Sequence, residues 1–243
     1  MRVAVVSDIH SNLCALEAVL AAIEADAPDE LWCLGDIVGY GPRPNECCAI
    51  VAERADVCLA GNHDLAIRGT IDLDEFHGDA ALAARLNREA MTLESHAFLD
   101  RLEPQGKAHG VALYHGSARD PVWEYVLSDE AALATLALAG SPLVLVGHSH
   151  VALHLTTSAG EPEGGLAPAG TTIALDEDVP ALLNPGSVGQ PRDGDPRAAY
   201  LLLDLAARRA EFRRVAYDVA RTQSEMAEAG LPRSLASRLA LGQ

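Results

Sequence analysis

Short apolar runs that each break into glycine, aspartate, asparagine or histidine recur along this chain, and they constrain its fold more than any other feature. Val3-Ala4-Val5-Val6 runs into Ser7-Asp8-Ile9-His10, Leu31 to Leu34 into Gly35-Asp36, and Val57 to Ala60 into Gly61-Asn62-His63-Asp64. Further on, Val111 to Tyr114 runs into His115-Gly116, and Leu143 to Val146 into Gly147-His148-Ser149-His150. Runs this short, bounded by turn residues, read as strands buried on both faces. Between the first two, Leu13, Leu16, Val19, Leu20 and Ile23 follow helical spacing, and Ser11 or Asn12 can cap that helix. A strand, helix and strand in this order make a parallel unit, and open α/β sheets gather ligand-facing residues at the carboxyl ends of their strands. Asp8 and His10, two apart in what reads as extended chain, would project to the same side. Asp36 is the residue on which the polar sets are expected to converge.

Gly39, Gly41, Pro42 and Pro44 form a rigid turn after Asp36, and a second helix runs from about Pro44 to Arg54. Residues 67–108 carry no strand signal and contain two helical patterns, near 79–90 and 93–102, so they read as a helical insertion beside the site. Ser128 caps a further helix. In the last third β signals recur at Val151 to Thr157, Thr171 to Leu175, Ala181 to Leu183, Ala199 to Leu203 and Ala210 to Val215. Gly160 to Gly170 reads as a Gly/Pro-rich hairpin loop. Asn184-Pro185-Gly186-Ser187-Val188-Gly189-Gln190-Pro191-Arg192 reads as a long turn able to bring backbone amides near an anion. A helical part from Asp218 closes the chain. No repeat or low-complexity linker divides it, so residues 1–243 are expected to form a single domain.

The composition narrows the partners. The chain carries 35 Asp plus Glu against 18 Lys plus Arg, a formal charge of -17, and such a surface repels long nucleic acid and anionic membranes. The longest apolar region, Ala131 to Val146, is broken by Gly140-Ser141-Pro142 and reads as a helix followed by a strand, not a membrane span. Five cysteines without metal-finger spacing read as core thiols, and no cleavable apolar segment precedes Val3, so a cytoplasmic protein is expected.

A hydrolytic centre with two divalent cations needs hard oxygen and imidazole ligands, one carboxylate to bridge them, and an open edge for substrate. Asp8, His10, Asp36, Asn62, His115, His148 and His150 supply that inventory. Their ordered combination, Asp-x-His, Gly-Asp, Gly-Asn-His-Asp, His and Gly-His-x-His, resembles the calcineurin-like metallophosphoesterase superfamily. Ser7-Asp8-Ile9-His10-Ser11-Asn12, Gly39-Tyr40-Gly41-Pro42, His115-Gly116-Ser117 and Asn184-Pro185-Gly186-Ser187-Val188-Gly189 resemble its small prokaryotic phosphodiesterase-type branch. The resemblance implies a four-layer α/β/β/α sandwich with two central mixed sheets. It also implies that Asp8, His10, Asp36 and His150 hold one metal, that Asp36, Asn62, His115 and His148 hold the other, and that Asp36 bridges. The cofactor expected is a pair of divalent ions, manganese first, with iron, zinc, nickel and cobalt also compatible.

Such a pair makes a hydroxide available near neutral pH for in-line attack on phosphorus, so hydrolysis of phosphodiesters or phosphomonoesters is expected. His63 is the candidate for acting on the leaving oxygen, and Asp64 either orients His63 or serves as a helix-start residue. Arg192, Trp123, Tyr125 and Asn12 are the substrate-binding candidates: the guanidinium for phosphate, the aromatics for a nucleobase. His77, His96, His109 and His154 read as surface or packed histidines. The partner expected is a small phosphoester, a nucleotide among the candidates, and homo-oligomers are compatible with all of this. The alternatives are a noncatalytic protein-binding scaffold, a protein serine/threonine phosphatase and a dinucleoside polyphosphate hydrolase. The phosphatases usually carry Asp-Arg-Gly where Val38-Gly39-Tyr40-Gly41 stands here.

Overall fold

The computed structural model describes residues 1–158 and 161–243. The first half runs β1 (Arg2–Val6), α1 (Leu13–Asp26), β2 (Glu30–Cys33), α2 (Pro44–Arg54), β3 (Val57–Cys58), α3 (Asn62–Arg68), α4 (Gly78–Ala90) and α5 (Leu93–Leu99), with a single 3-10 turn, Leu73–Glu75, before α4. The rest runs β4 (Gln105–Ala108), β5 (Val111–Tyr114), α6 (Asp129–Ala139), β6 (Leu143–Val146), β7 (Ala152–Ser158), β8 (Glu161–Leu166), β9 (Thr172–Ala174), β10 (Ala181–Pro185), β11 (Ala198–Asp204), β12 (Arg209–Val215), α7 (Val219–Glu228) and α8 (Arg233–Leu239).

The strands form two six-stranded mixed sheets, in the orders β3-β2-β1-β11-β12-β9 and β4-β5-β6-β10-β7-β8. In the first, β1, β2 and β3 are parallel while β1 and β11 are antiparallel. In the second, β5, β6 and β10 are parallel and β7 pairs with β10 in the opposite sense. Alternation along each strand then dictates the layers. β1 sends Val3 and Val5 into the space between the sheets, where they meet Trp32, Leu145, Leu201 and Phe212. Its Ala4 and Val6 face the other way and pack with Leu16 and Val19 of α1 and Val51 of α2. On the far side Val144 and Val146 of β6 and Leu182 of β10 meet Ala131 and Ala132 of α6. Helices therefore cover both outer faces, giving the four-layer α/β/β/α sandwich. Each fully buried Val or Leu side chain contributes about 1.5–3 kcal/mol, which is why these runs tolerate no polar residue until the strand ends.

Two stretches differ from the sequence expectation. Within 67–108, Gln105–Ala108 is a strand, antiparallel to β5 with Gln105 opposite Tyr114. Its sequence, QGKA, has no apolar alternation and is mostly exposed, so pairing with β5 imposes the strand, and Lys107 suits an open edge. The expected hairpin loop from Gly160 to Gly170 contains the edge strand β8, paired with β7 from Ser158 opposite Glu161 to Leu153 opposite Leu166; Gly160 itself lies outside the described residues. Pro162 is tolerated there because an edge strand leaves one row of backbone groups unpaired. No helix among the described residues is long and apolar enough to cross a membrane.

Candidate metal centre

The parallel strands β1, β2, β3, β5 and β6 all point their carboxyl ends at one end of the sandwich, and each hands over to a polar residue there. The handover is not extended chain. Asp8, His10, Asp36, His148 and His150 all have φ between 50° and 62°, in the left-handed region that non-glycine residues rarely occupy. Asp8 and His10 thus share a side through two backbone reversals, not through strand alternation as the sequence suggested. Each such residue costs on the order of 1–3 kcal/mol, strain that persists only where surrounding structure enforces it. Part of that enforcement is Asp8 N–H donating to Gly35 O at 3.0 Å and His10 N–H to Asp36 O at 2.9 Å, which stitch the first loop to the second. Gly35, with φ 96°, and Gly61 let the second and third strand ends touch. A Cβ on Gly35 would lie 2.5 Å from Gly61 N, and one on Gly61 would overlap the Asp36 carboxylate.

These loops bring every one of the seven ligand candidates into one buried cluster. Asp8, His10, Asp36 and His150 offer ligand atoms within 4.8 Å of one another, and so do Asp36, His115 and His148. Asp36 belongs to both groups. Its Oδ1 accepts from His63 N–H at 2.9 Å, and its Oδ2 lies 3.5 Å from both His10 Nε2 and His115 Nε2. Asn62 Oδ1 lies 3.3 Å from His115 Nε2, beside the second group.

Backbone carbonyls select the histidine tautomers. A carbonyl only accepts, so a ring nitrogen bonded to one carries the proton. His10 Nδ1 donates to Val38 O at 3.1 Å, His115 Nδ1 to Leu34 O at 2.8 Å and His150 Nδ1 to Gln190 O at 2.6 Å. Their Nε2 lone pairs are left facing inward. His148 is turned the other way, its Nε2 donating to Trp123 O at 3.2 Å and its Nδ1 left for the centre. This outer support is the usual arrangement around metal-binding imidazoles.

The inward atoms repel one another. His10 Nε2 and His150 Nε2 sit 3.0 Å apart with no proton between them in these tautomers, and both carboxylate oxygens of the fully buried Asp8 have no hydrogen-bond partner among the described residues. Burial raises the Asp8 carboxyl to about 7, His115 working against the rise and Asp36 adding to it. Burial also works against charge on Asp36 and His115, but their mutual attraction wins, holding Asp36 well below the usual carboxylate range and raising His115 to about 9. Unpaired oxygens and opposed lone pairs around a shared carboxylate are what two cations would satisfy, so the donor set fits a dinuclear metal centre.

Of the other sequence candidates, some reach the site and some do not. Arg192, Trp123 and Tyr125 line a cavity of about 190 Å³ that opens onto Asp36, Asn62, His148 and His150. His63 lines it too, its ring held between Tyr40 at 4.4 Å and Phe76 at 4.6 Å, and burial lowers its pKa to about 4 despite Asp36. Asp64 does not orient His63. Its carboxylate accepts from the N–H groups of Gly61, Ile37 and Val38, so it locks the start of α3 to the Asp36 loop. Asn12 is not in the cavity either: Oδ1 accepts from Ala15 N–H and Thr222 Oγ, and Nδ2 donates to Gly189 O. In the turn after Asn184, the Val188, Gly189 and Arg192 amides donate to Ser7 O, Asp8 O and His150 O, so they support the centre from behind instead of meeting an anion.

Sequence reasoning passed over Tyr40, Glu75, Phe76 and His77, which also line the cavity. His77, read as a surface or packed histidine, is exposed and stands on the rim because the chain between α3 and α4 folds back over His63. Asn87 was missed as well. Buried on α4, it accepts from Ser11 Oγ and Gly39 N–H and donates to Gly41 O, tying that helix to the turn after Asp36. Its signal was a polar residue in the helical register of buried Ala83 and Ala84.

Residues 1–208 match the family model of the calcineurin-like phosphoesterase superfamily domain. The chain belongs to that superfamily. An uncharacterized protein of Methanocaldococcus jannaschii is 38% identical over 246 residues, covering 99% of this chain and 98% of that protein. The crystal structure of a metallophosphoesterase from Sphaerobacter thermophilus is 39% identical and covers 100% of this chain and 99% of that one, with a TM-score of 0.90. A hypothetical protein from Pyrococcus horikoshii, at 21% identity, covers 100% of this chain and 98% of its own with a TM-score of 0.83, and so shares the fold. Membership in the calcineurin-like phosphoesterases and the buried Asp/His cluster agree in making this protein a metal-dependent phosphoesterase.

Proposed function

We propose that the protein hydrolyses small phosphodiesters or phosphomonoesters, nucleotides among them, with Asp8, His10, Asp36 and His150 holding one divalent cation and Asp36, Asn62, His115 and His148 the other. The observation that carries this reading is the position of Asp36, shared by two buried clusters of ligand atoms, beside an Asp8 carboxylate whose oxygens have no hydrogen-bond partner among the described residues. When bound, two such cations act as Lewis acids that neutralise phosphoryl oxygens and lower the pKa of water toward neutrality. The chain's own groups do the rest. Arg192, whose guanidinium bonds to Gln190 Oε1 at 3.1 Å, meets the phosphate with its charge. His63, uncharged at neutral pH, offers a ring N–H to the leaving oxygen. Trp123 and Tyr125, 38% and 47% exposed, present open aromatic surface at the mouth on which a nucleobase stacks. Manganese is the metal we favour, with iron, zinc, nickel and cobalt also compatible with the mixed oxygen and imidazole set.

Chelation is expected to abolish hydrolysis of a chromogenic phosphodiester, and added Mn²⁺ to restore it. Undiminished turnover in excess chelator would end the metallohydrolase reading.

Metal uptake is also expected to depend on pH. A cation needs the Asp8 carboxylate ionised and the inward lone pair of His115 free, whereas the metal-free chain holds these groups protonated up to about pH 7 and about pH 9. Protons therefore compete with metal, and affinity rises as pH climbs through that window, by about tenfold per pH unit for each proton released. Calorimetric Mn²⁺ titrations at pH 6.5 and 8.5, in buffers of different ionisation enthalpy, measure both the affinity and the protons expelled. Equal affinity at the two pH values, with no proton release, would show that Asp8 and His115 do not bind the ion.

A further inference from the structure

Tyr40 lines the cavity, yet metal binding and the roles of Arg192 and His63 leave it without a task. Its φ of 54° places a bulky residue in the left-handed region, which such side chains rarely occupy. The turn that carries it is clamped from both sides: Asn87 Oδ1 accepts from Gly39 N–H at 3.0 Å, and Asn87 Nδ2 donates to Gly41 O at 3.0 Å. Gly41 N–H also donates to His10 O at 3.0 Å, and a Cβ on Gly41 would lie 2.3 Å from that oxygen, so only bare backbone lets the turn press against the first loop. The Tyr40 ring is thereby wedged between His10, at 4.6 Å between ring centroids, and His63, at 4.4 Å, with the Arg192 guanidinium 5.8 Å from its centroid. Ala83 of α4, Met226 of α7 and Leu235 of α8 pack in the apolar cluster that the ring joins.

That wedge fixes the hydroxyl. Arg192 donates to Tyr40 Oη at 3.4 Å, so the phenol oxygen accepts there, and its own proton goes to no acceptor among the described residues. A phenol is protonated at neutral pH and can donate one hydrogen bond. Arg192 and Tyr40 therefore present two donors side by side, in a cavity that also opens onto Asp36, Asn62, His148 and His150. In-line attack at phosphorus spreads charge over its non-bridging oxygens, and fixed donors aimed at such charge are among the largest contributors to catalysis. A role confined to packing would be met by phenylalanine, which offers the same ring to His10 and His63 without a hydroxyl to satisfy. We propose that Tyr40 is a catalytic residue whose hydroxyl donates a hydrogen bond to a non-bridging oxygen of the reacting phosphoryl group, beside Arg192, while His63 serves the leaving oxygen. The phenol keeps its proton throughout. This rests on the phosphoesterase reading and adds a contact to the phosphoryl group itself.

Tyr40→Phe keeps the ring between His10 and His63 and removes only the hydroxyl. In the full chain loaded with Mn²⁺, calorimetry is expected to show orthophosphate binding weakened about tenfold, and kcat/KM for a chromogenic ester should fall by about tenfold to 10²-fold, as loss of one hydrogen bond to a charged group allows. The kinetic loss should be the same for nitrophenyl and alkyl esters, because a non-bridging oxygen gains charge whichever group departs. Bound metal, by elemental analysis, and melting temperature should match wild type. Tyr217→Phe, which removes a phenol hydroxyl outside the cavity, should change neither phosphate affinity nor rate. Arg192→Met separates contact from support: in that background Tyr40→Phe should still lower kcat/KM severalfold, whereas no further loss would reduce Tyr40 to a prop for Arg192 and overturn the proposal. Unchanged phosphate affinity and rate in folded Tyr40→Phe overturn it outright. A loss confined to alkyl esters would move the hydroxyl to the leaving oxygen, and loss of metal would make Tyr40 a support for His10; either result defeats the proposed contact. Absent hydrolysis of every ester by the wild type would instead defeat the phosphoesterase reading, and the orthophosphate comparison would still decide this one.

Discussion

Asp36→Asn is expected to empty both halves of the centre at once. The substitution keeps the shape of the side chain and an oxygen able to accept from His63 N–H, as Oδ1 now does at 2.9 Å, so the loop need not rearrange. What it removes is the charge that both clusters share through Oδ2, at 3.5 Å from His10 and from His115. Two cations held by one common carboxylate should both weaken, whereas a ligand of a single ion, such as His148, should affect one site first. Activity should fall by at least about 10³-fold, since Lewis-acid stabilisation is worth several kcal/mol and about 1.4 kcal/mol is a decade of rate. Elemental analysis of reconstituted protein, read with kcat/KM on the same preparation, is the measurement. Two ions retained at wild-type affinity would remove Asp36 from the bridging position.

His63→Ala should produce a loss that depends on the leaving group. A nitrophenolate departs readily without help, so the expected cost there is small, below about fivefold. For a ribose or alkyl oxygen it should approach 10²-fold, the lower end of the range of about 10²–10⁴ for general acid catalysis. The lower end is expected because burial lowers the His63 pKa to about 4, so at neutral pH it donates as an uncharged imidazole. Gly39 supports this geometry: a Cβ there would overlap His63 Nδ1, so that edge of the ring rests on bare backbone and the opposite nitrogen is left for the cavity. Metal content should remain near wild type. A loss uniform across leaving groups would point to an electrostatic role, and loss of metal would place His63 among the ligands.

Much of this molecule can be read from its residues because the chemistry and the folding signal coincide at the strand ends. A buried strand must stay apolar until it leaves the core, and the first polar residues after it are then forced to the rim of the sheet. Asp8, Asp36, Asn62, His115 and His148 are legible for that reason, and so is the layered α/β architecture. What periodicity reports poorly is structure imposed from outside. QGKA and EPEGGL become the strands β4 and β8 because β5 and β7 offer them open edges, not because their own side chains demand it. Asp64 shows the same limit at the site. Its sequence permitted two partners, and only the approach of the Asp36 loop, with the Ile37 and Val38 amides aimed at its carboxylate, selected the structural one. Asn12 was likewise claimed by Ala15, Thr222 and Gly189, the last two far from it in sequence. The left-handed turns at Asp8, His10, Asp36, His148 and His150 and the aromatic slot of Tyr40 and Phe76 around His63 are all long-range. The sequence alone determined which residues stand at the ends of the strands and which chemistry they can supply. Only the tertiary structure decided which of them face one another, because charge, strain and hydrogen-bond competition are settled between segments that local periodicity does not connect.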